Sequence, residues 1–376
     1  MKKTFLEPDY YPAFACKCGD CVLTCCREWK ISLSMSDYFR LLGLDCSPDL
    51  RRRIDVGMIM EERATEEKYA RMNFRWDGKC PMLDGEGFCG LQRECGETVL
   101  PTVCRVFPRS PKTRFADEIS CSCGCEKTIE MLAAKSEPLG FPEREEEILI
   151  PTLPREKEET CALFGRIRKK CLAIVQNRAL PLAARLLLLG RGLKESGMFE
   201  HRCEETVSRF EAFDPMKETL PEAKADHARF LAFCEKTLDL FGENSPNIRY
   251  CREVFAKNLA GGLPAYEKAL ALLKEKQPDH EAFFERVLTN HMFYVDFPMS
   301  DLFESPFDET LALCAAYLLL RYAAVGSLTE AGEYRSDVIA ALYRFIDGSD
   351  FTRSGAESIY LSDGEFESVL YSLLSE

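Results

Sequence analysis

From about residue 160 onward, apolar positions recur three and four apart, the period that gathers them on one face of an α-helix. Leu163, Ile167, Cys171 and Ile174 mark one such face, Phe230, Leu231, Phe233, Leu238 and Leu240 a second, and Phe283, Phe284, Val287 and Leu288 a third. Segments at 246–260, 263–276, 309–325 and 331–346 carry the same pattern, so the sequence predicts an all-helical bundle or array. The long apolar run Leu311 to Leu320 is followed by Arg321 and falls well short of the roughly 20 residues that cross a bilayer. It reads as a buried helix. No repeat of fixed period is present.

The first 130 or so residues follow a different rule: Gly, Pro and Cys interrupt every pattern, which predicts a loop-rich region with short helices. Ser36-Asp37 is expected to cap a helix beginning near Tyr38, and the charged stretch from Pro48 to Arg71 has helical composition. Between Cys80 and Cys89, an Asp84-Gly85 turn with apolar flanks is the signature of a small hairpin that draws the two cysteines near each other. Acidic residues Glu143, Glu145, Glu146 and Glu147 lie among Pro138, Pro142, Pro151 and Pro154, the best linker in the chain. The expected architecture is mainly α: a cysteine-rich metal-binding region with a small hairpin at 1–136, a linker at 137–159, and a helical domain at 160–376.

A chain of 376 residues, 46% hydrophobic, buries a large core without disulfide staples and suggests about two domains. The N-terminus has Lys2 and Lys3 but no apolar stretch behind them, so no secretory signal is expected, and reduced thiols in a cytoplasm follow. Net charge is −13, yet residues 1–125 hold 19 basic and 19 acidic side chains, leaving 30 and 43 for the remainder. A neutral first third and an acidic remainder do not form a phosphate-tracking surface, so nucleic acid is not an expected partner. Arg51-Arg52-Arg53 reads as a solvated helix face.

Thirteen of the nineteen cysteines precede residue 126, whereas the whole chain has four histidines. Such thiol density points to a sulfur-ligated metal. Cys18-x2-Cys21 is one zinc-type knuckle, but no second follows at zinc-ribbon spacing. The C-x3-C-x2-C of radical enzymes is also absent, because Glu28 stands where its third cysteine belongs. Cys161, Cys171, Cys203, Cys234, Cys251 and Cys314 are scattered along the helical part and read mainly as small buried hydrophobes. Gly190-Arg191-Gly192 with Gly197 lies in helical context and not after a strand, so it supports packing or a helix end, not a dinucleotide site.

Read in order, the run from Phe14 to Trp29 with its Cys16, Cys18, Cys21, Cys25 and Cys26, then Cys80-Pro81-Met82-Leu83, Phe88-Cys89-Gly90-Leu91-Gln92, Gly96-Glu97 and Cys104-Arg105-Val106-Phe107-Pro108-Arg109, resembles the flagellin lysine N-methylases over about 110 positions. The helical part resembles them more faintly, best at Asn290-His291-Met292-Phe293-Tyr294. The family-like thiols are Cys16, Cys21, Cys25, Cys26, Cys80, Cys89, Cys104 and Cys125, and Cys18, Cys46, Cys95, Cys121 and Cys123 are additions. The resemblance implies a [4Fe-4S] cluster, S-adenosylmethionine as methyl donor and flagellin as protein substrate. Cys80, Cys89 and Cys104 are the first ligands expected, with the fourth from Cys25 or Cys26. Zinc is the alternative metal. Eight thiols exceed what one cubane needs. No catalytic base is named; His291 and Tyr294 are candidates through the fainter patch. The competing reading is a cysteine-rich zinc- or iron-binding protein, structural or redox-sensing, whose helical domain binds a partner.

Overall fold

The computed structural model describes residues 3–27, 31–146, 155–198, 200–242, 245–300, 306–348 and 366–376. The described chain is mainly helical, with a helical C-terminal part and an N-terminal part of strands, loops and cysteines. Two compact units divide it: residues 15–109 with 125–127, and residues 1–14, 110–124 and 128–376. Glu28 and Trp29 of the family-like run, and Glu147, Pro151 and Pro154 of the expected linker, lie outside the described residues.

The elements in chain order are β1 (Lys3–Leu6), β2 (Ser32–Leu33), α1 (Met35–Leu42), α2 (Pro48–Val56), β3 (Met58–Met60), β4 (Ala70–Met72), α3 (Gly90–Cys95), α4 (Thr102–Val106), β5 (Arg109–Lys112), β6 (Glu118–Cys121), α5 (Glu126–Ala134) and β7 (Glu143–Glu146). Helices α6 (Glu158–Val175), α7 (Leu182–Glu195), α8 (Glu204–Ala212), α9 (His227–Gly242), α10 (Pro246–Asn258), α11 (Leu263–Lys276), α12 (His280–Tyr294), α13 (Pro306–Gly326), α14 (Ser336–Gly348) and α15 (Phe366–Leu374) complete it.

The smaller unit is built on a three-stranded antiparallel sheet in the order β2-β4-β3. Ile31, Leu33, Leu41, Leu50, Ile54, Ala70, Met72, Met82, Leu83 and Leu91 form its core, and the side chain of Cys80 is part of it. Helix α1 starts earlier than the sequence suggested. Ser34, not Ser36, is the N-cap: its hydroxyl accepts from the Asp37 N–H at 3.0 Å, and Asp37 completes the capping box. The charged stretch from Pro48 is helical only to Val56. It ends at Gly57, where a Cβ would collide with the Arg53 carbonyl oxygen, and the chain then turns into β3 and β4, whose backbone groups pair across the sheet.

In the larger unit, β5-β6-β1-β7 form a four-stranded sheet in which β1 runs parallel to β6 and antiparallel to β7. The Glu143–Glu146 stretch pairs with Lys3–Leu6, so part of the acidic 137–159 segment is an edge strand. Helix α13 carries the apolar run Leu311 to Leu320 and packs against α7, α9, α10, α11, α12, α14 and α15. It is long and apolar enough by composition to cross a membrane, and its apolar window is wholly buried inside the protein. Gly192 lets α7 approach Phe213, whose ring a Cβ would meet at 2.7 Å, so that glycine serves packing.

Candidate metal centre

None of the nineteen cysteines is joined in a disulfide. In the smaller unit, Cys25, Cys80, Cys89 and Cys104 lie near enough for their charges to influence one another. The stretch from Cys80 to Cys89 is the expected tight turn: Leu83 and Cys89 form an antiparallel bridge, the Asp84 N–H donates to the Phe88 carbonyl at 2.9 Å, and the Asp84 carboxylate accepts from the N–H groups of Glu86 and Phe88. Cys89 is the N-cap residue of α3. The Cys80 N–H donates to the Cys26 carbonyl at 2.8 Å, which brings the Cys25-Cys26 strip alongside. Cys104 rides on α4, whose first N–H, from Thr102, is held by the buried Asp37 carboxylate at 3.2 Å; Arg40 adds a bond to the Leu100 carbonyl at 2.9 Å. The capping box of α1 therefore also fixes the helix that presents Cys104.

Charge couples these four thiols unevenly. Burial pushes Cys80 up to about 12, and the Cys89 and Cys25 sulfurs raise it further, while the Met82 N–H opposes the rise. Cys104 is pushed well up by burial and then by Cys80, Cys25 and Cys89. Burial raises Cys89 too; the N–H groups of Gln92 and Leu91 pull it back and Cys25 adds to it. Cys25 raises Cys80, Cys89 and Cys104, and Cys80 and Cys89 add to Cys104, so a cation among these sulfurs would relieve the crowding of negative charge; thiolate is the donor that iron-sulfur clusters and structural zinc use. The donor set fits such a group in chemistry and number. Among the described residues, no three His, Cys, Asp or Glu side chains stand closed up around a metal position.

The remaining family-like thiols divide. Cys26 packs against the hydrophobic core, and it is Cys25 that acts on Cys80, Cys89 and Cys104. Cys21 is pushed to about 12 by burial and by Glu126, Cys125 and Cys25. Cys16 is exposed beside Cys18, whose N–H lies 3.3 Å from the Cys16 sulfur. Gly19 in the turn Cys18–Asp20 lies against the Phe88 ring, which a Cβ would meet at 2.9 Å. Glu126, 1% exposed, ties this loop down by accepting from the N–H groups of Val22 and Leu23 and from Lys17. No sequence signal singled it out; it is one acid among many at a helix start.

The larger unit holds a separate polar cluster around α12. The Asn290 amide donates to the Cys121 carbonyl at 2.7 Å and to the Cys123 sulfur at 3.2 Å, and its carbonyl accepts from the Tyr10 hydroxyl at 2.6 Å. His291 Nδ1 lies 3.5 Å from Asp347, whose other oxygen accepts from the Ser122 hydroxyl at 3.0 Å. Burial lowers His291 to about 4 and raises Asp347, whose side chain is 12% exposed, to about 7. Burial also raises Tyr294. Near neutral pH, His291 is therefore uncharged and Tyr294 protonated, while Asp347 changes state. A cavity of about 530 Å³ in the same unit is lined by Arg178, Arg185, Lys274, His280, Glu281 and Glu376. Its charges are mutually paired: Glu285 holds Arg178 and Arg185, and Glu376 holds His280 at 2.7 Å.

Residues 168–349 match the family model of the FliB lysine N-methylase C-terminal domain. Two curated relatives, the lysine-N-methylases of Salmonella typhimurium and Salmonella choleraesuis, are each 24% identical over 182 residues, 46% of this chain and 43% of theirs. The flagellar biosynthetic protein FliU of Salmonella muenchen is 26% identical over 145 residues, 38% of this chain and 83% of its own. The chain thus spans less than half the length of those two lysine-N-methylases. No solved structure matches. The family match falls on the helical part, from within α6 to the end of α14, where sequence motifs resembled the family more faintly than the cysteines did.

Proposed function

We propose that this chain, a member of the FliB lysine N-methylase family, transfers methyl groups from S-adenosylmethionine to lysine side chains of flagellin, and that Cys25, Cys80, Cys89 and Cys104 hold a [4Fe-4S] cluster in the same protein. The observation that carries the reading is the match of residues 168–349 to a lysine N-methylase domain. The four-thiol set supports the cluster. Zinc on the same sulfurs is the second reading, favoured by the place of Cys80 within the hydrophobic core, where a metal would serve as a staple.

A bound cluster would supply an iron as a ligand site or an electron carrier. The chain's own residues supply its setting: Asp37 fixes α4 and so Cys104, the Asp84 turn fixes Cys80 against Cys89, and the N–H groups of Gln92 and Leu91 face the Cys89 sulfur. The lysine to be methylated must lose a proton, since its amine ordinarily titrates near 10.4. That calls for a group accepting protons near neutrality. Asp347, raised to about 7, and Glu309, raised to about 8, meet this condition within the matched residues, and of the two it is Asp347 that stands in the polar cluster with His291 and Ser122. The acidic balance of residues 126–376 suits lysine-bearing substrates, and reduced thiols suit a cytoplasmic setting.

Single substitution of Cys25, Cys80, Cys89 or Cys104 by Ser, in protein purified without oxygen, is the test. Iron, acid-labile sulfide and visible absorbance should fall together with methyl transfer in each variant, while C18S keeps both. Full iron and sulfide in all four variants would exclude this ligand set, and zinc without sulfide would favour the staple.

A further inference from the structure

The geometry points to a reversible disulfide site between Cys46 and Cys95, two thiols outside the four-sulfur set and absent from the family-like pattern. Cys46 directly precedes Ser47, the N-cap of α2, and Cys95 is the last residue of α3. Their chain neighbours are bonded to each other: the Glu94 carboxylate accepts from the Ser47 N–H and, at 2.8 Å, from the Ser47 hydroxyl. The Cys95 sulfur reaches within 3.9 Å of the Asp45 carbonyl oxygen, on the residue next to Cys46. Ser47 bonded to Glu94 holds together two stretches of backbone, with Cys46 and Cys95 each adjacent in the chain to a partner of that bond, as a disulfide between them requires.

Electrostatics agrees with that placement. Cys95 is raised by burial, then by Glu94 and by the Cys46 sulfur, while Cys46 is raised by burial and by Glu94, Asp45 and Asp55 against the pull of Arg51. Both thiols are only partly buried, so a small reagent can reach them.

The reaction is exchange with a low-molecular-weight disulfide such as oxidised glutathione. One protein thiolate attacks a glutathione sulfur, the glutathione S–S bond breaks, and one glutathione thiolate leaves. The second protein thiolate then attacks the protein sulfur of the mixed disulfide and expels the other glutathione. The protein loses two electrons and two protons, which leave on two glutathione thiols. The bond ties the C-terminal end of α3 to the start of α2, while Cys89 at the other end of α3 remains in the four-thiol set. Helix α3 would then be anchored at both ends.

The test uses the full chain purified without oxygen, equilibrated with oxidised glutathione, alkylated, and digested after Arg and Glu. Cleavage at Glu97 separates Cys95 from Cys104. The expected product is a cross-linked peptide pair carrying Cys46 and Cys95, the main disulfide formed by either residue and lost on treatment with dithiothreitol. In C46S, the intermediate should be trapped as a glutathione adduct on Cys95. Recovery of Cys46 and Cys95 as separate alkylated thiols or separate glutathione adducts in the unsubstituted chain would overturn the proposal, as would their preferential linkage to other cysteines.

Discussion

At the scale of single residues, proton affinity separates side chains that sequence alone treats alike. Glu309, at the start of α13, is 4% exposed, and burial raises its carboxyl from 4.5 to about 8, with the Ser300 N–H at 2.7 Å pulling the other way. The folded chain therefore holds a proton that the unfolded chain gives up more readily. Stability from this group is fully present below pH 4.5 and is lost as pH rises through 8. Glu309→Gln keeps an oxygen for Ser300 and removes the titration. At pH 9 it should stabilise the protein by at least about 1 kcal/mol, roughly one pKa unit's worth, and at pH 4 by little or nothing, in urea titrations followed by circular dichroism. Asp347 has the same sign of shift but touches the polar cluster of the matched residues. If it takes up the substrate's proton, Asp347→Asn should lower the methyl-transfer rate by about 10²-fold or more and remove the acid limb centred near pH 7. A variant with an unchanged pH–rate profile would release Asp347 from that part.

Elements show most clearly how far a sequence can be read. Helix α11 runs from Leu263 to Lys276, as expected from its apolar period, and α10, α12 and α13 lie within a few residues of theirs. Their buried faces are long, and side-chain burial decides them. Strand β7 carries four charged residues, so no apolar alternation marks it; its backbone bonds to β1 make it a strand. Two serines stood near the start of α1, and the one three residues before Asp37 became the cap because only that spacing closes the box. The thiol site follows the same division. Cys80 and Cys89 were legible through a turn between them, whereas Cys25 and Cys26 are chain neighbours that spacing alone does not tell apart. A long-range contact of the helical unit also escaped the sequence: fully buried Arg321 on α13 donates to the carbonyls of Leu373, Leu374 and Ser375 at 2.8 Å each, satisfying groups that the end of α15 leaves unpaired. Arg321→Met removes these bonds at nearly constant volume. It should cost about 2–4 kcal/mol of unfolding free energy in denaturant titration, because buried carbonyls lose their donor; a loss below about 0.5 kcal/mol would mean that water replaces the guanidinium.

At the scale of the whole molecule, the two units contribute different things to one reading. The larger unit carries the residues that match a lysine N-methylase domain, and the smaller one the four-thiol set. The Salmonella lysine-N-methylases are 24% identical over 182 residues, and the reaction is open to direct measurement. The full chain, purified without oxygen, is incubated with flagellin and S-adenosylmethionine bearing an isotopically labelled methyl group, and lysine peptides of the flagellin are read by mass spectrometry. Labelled methyl-lysine should appear only when both chain and methyl donor are present. Flagellin lysines that stay unlabelled with an iron- and sulfide-replete chain would contradict the proposed reaction.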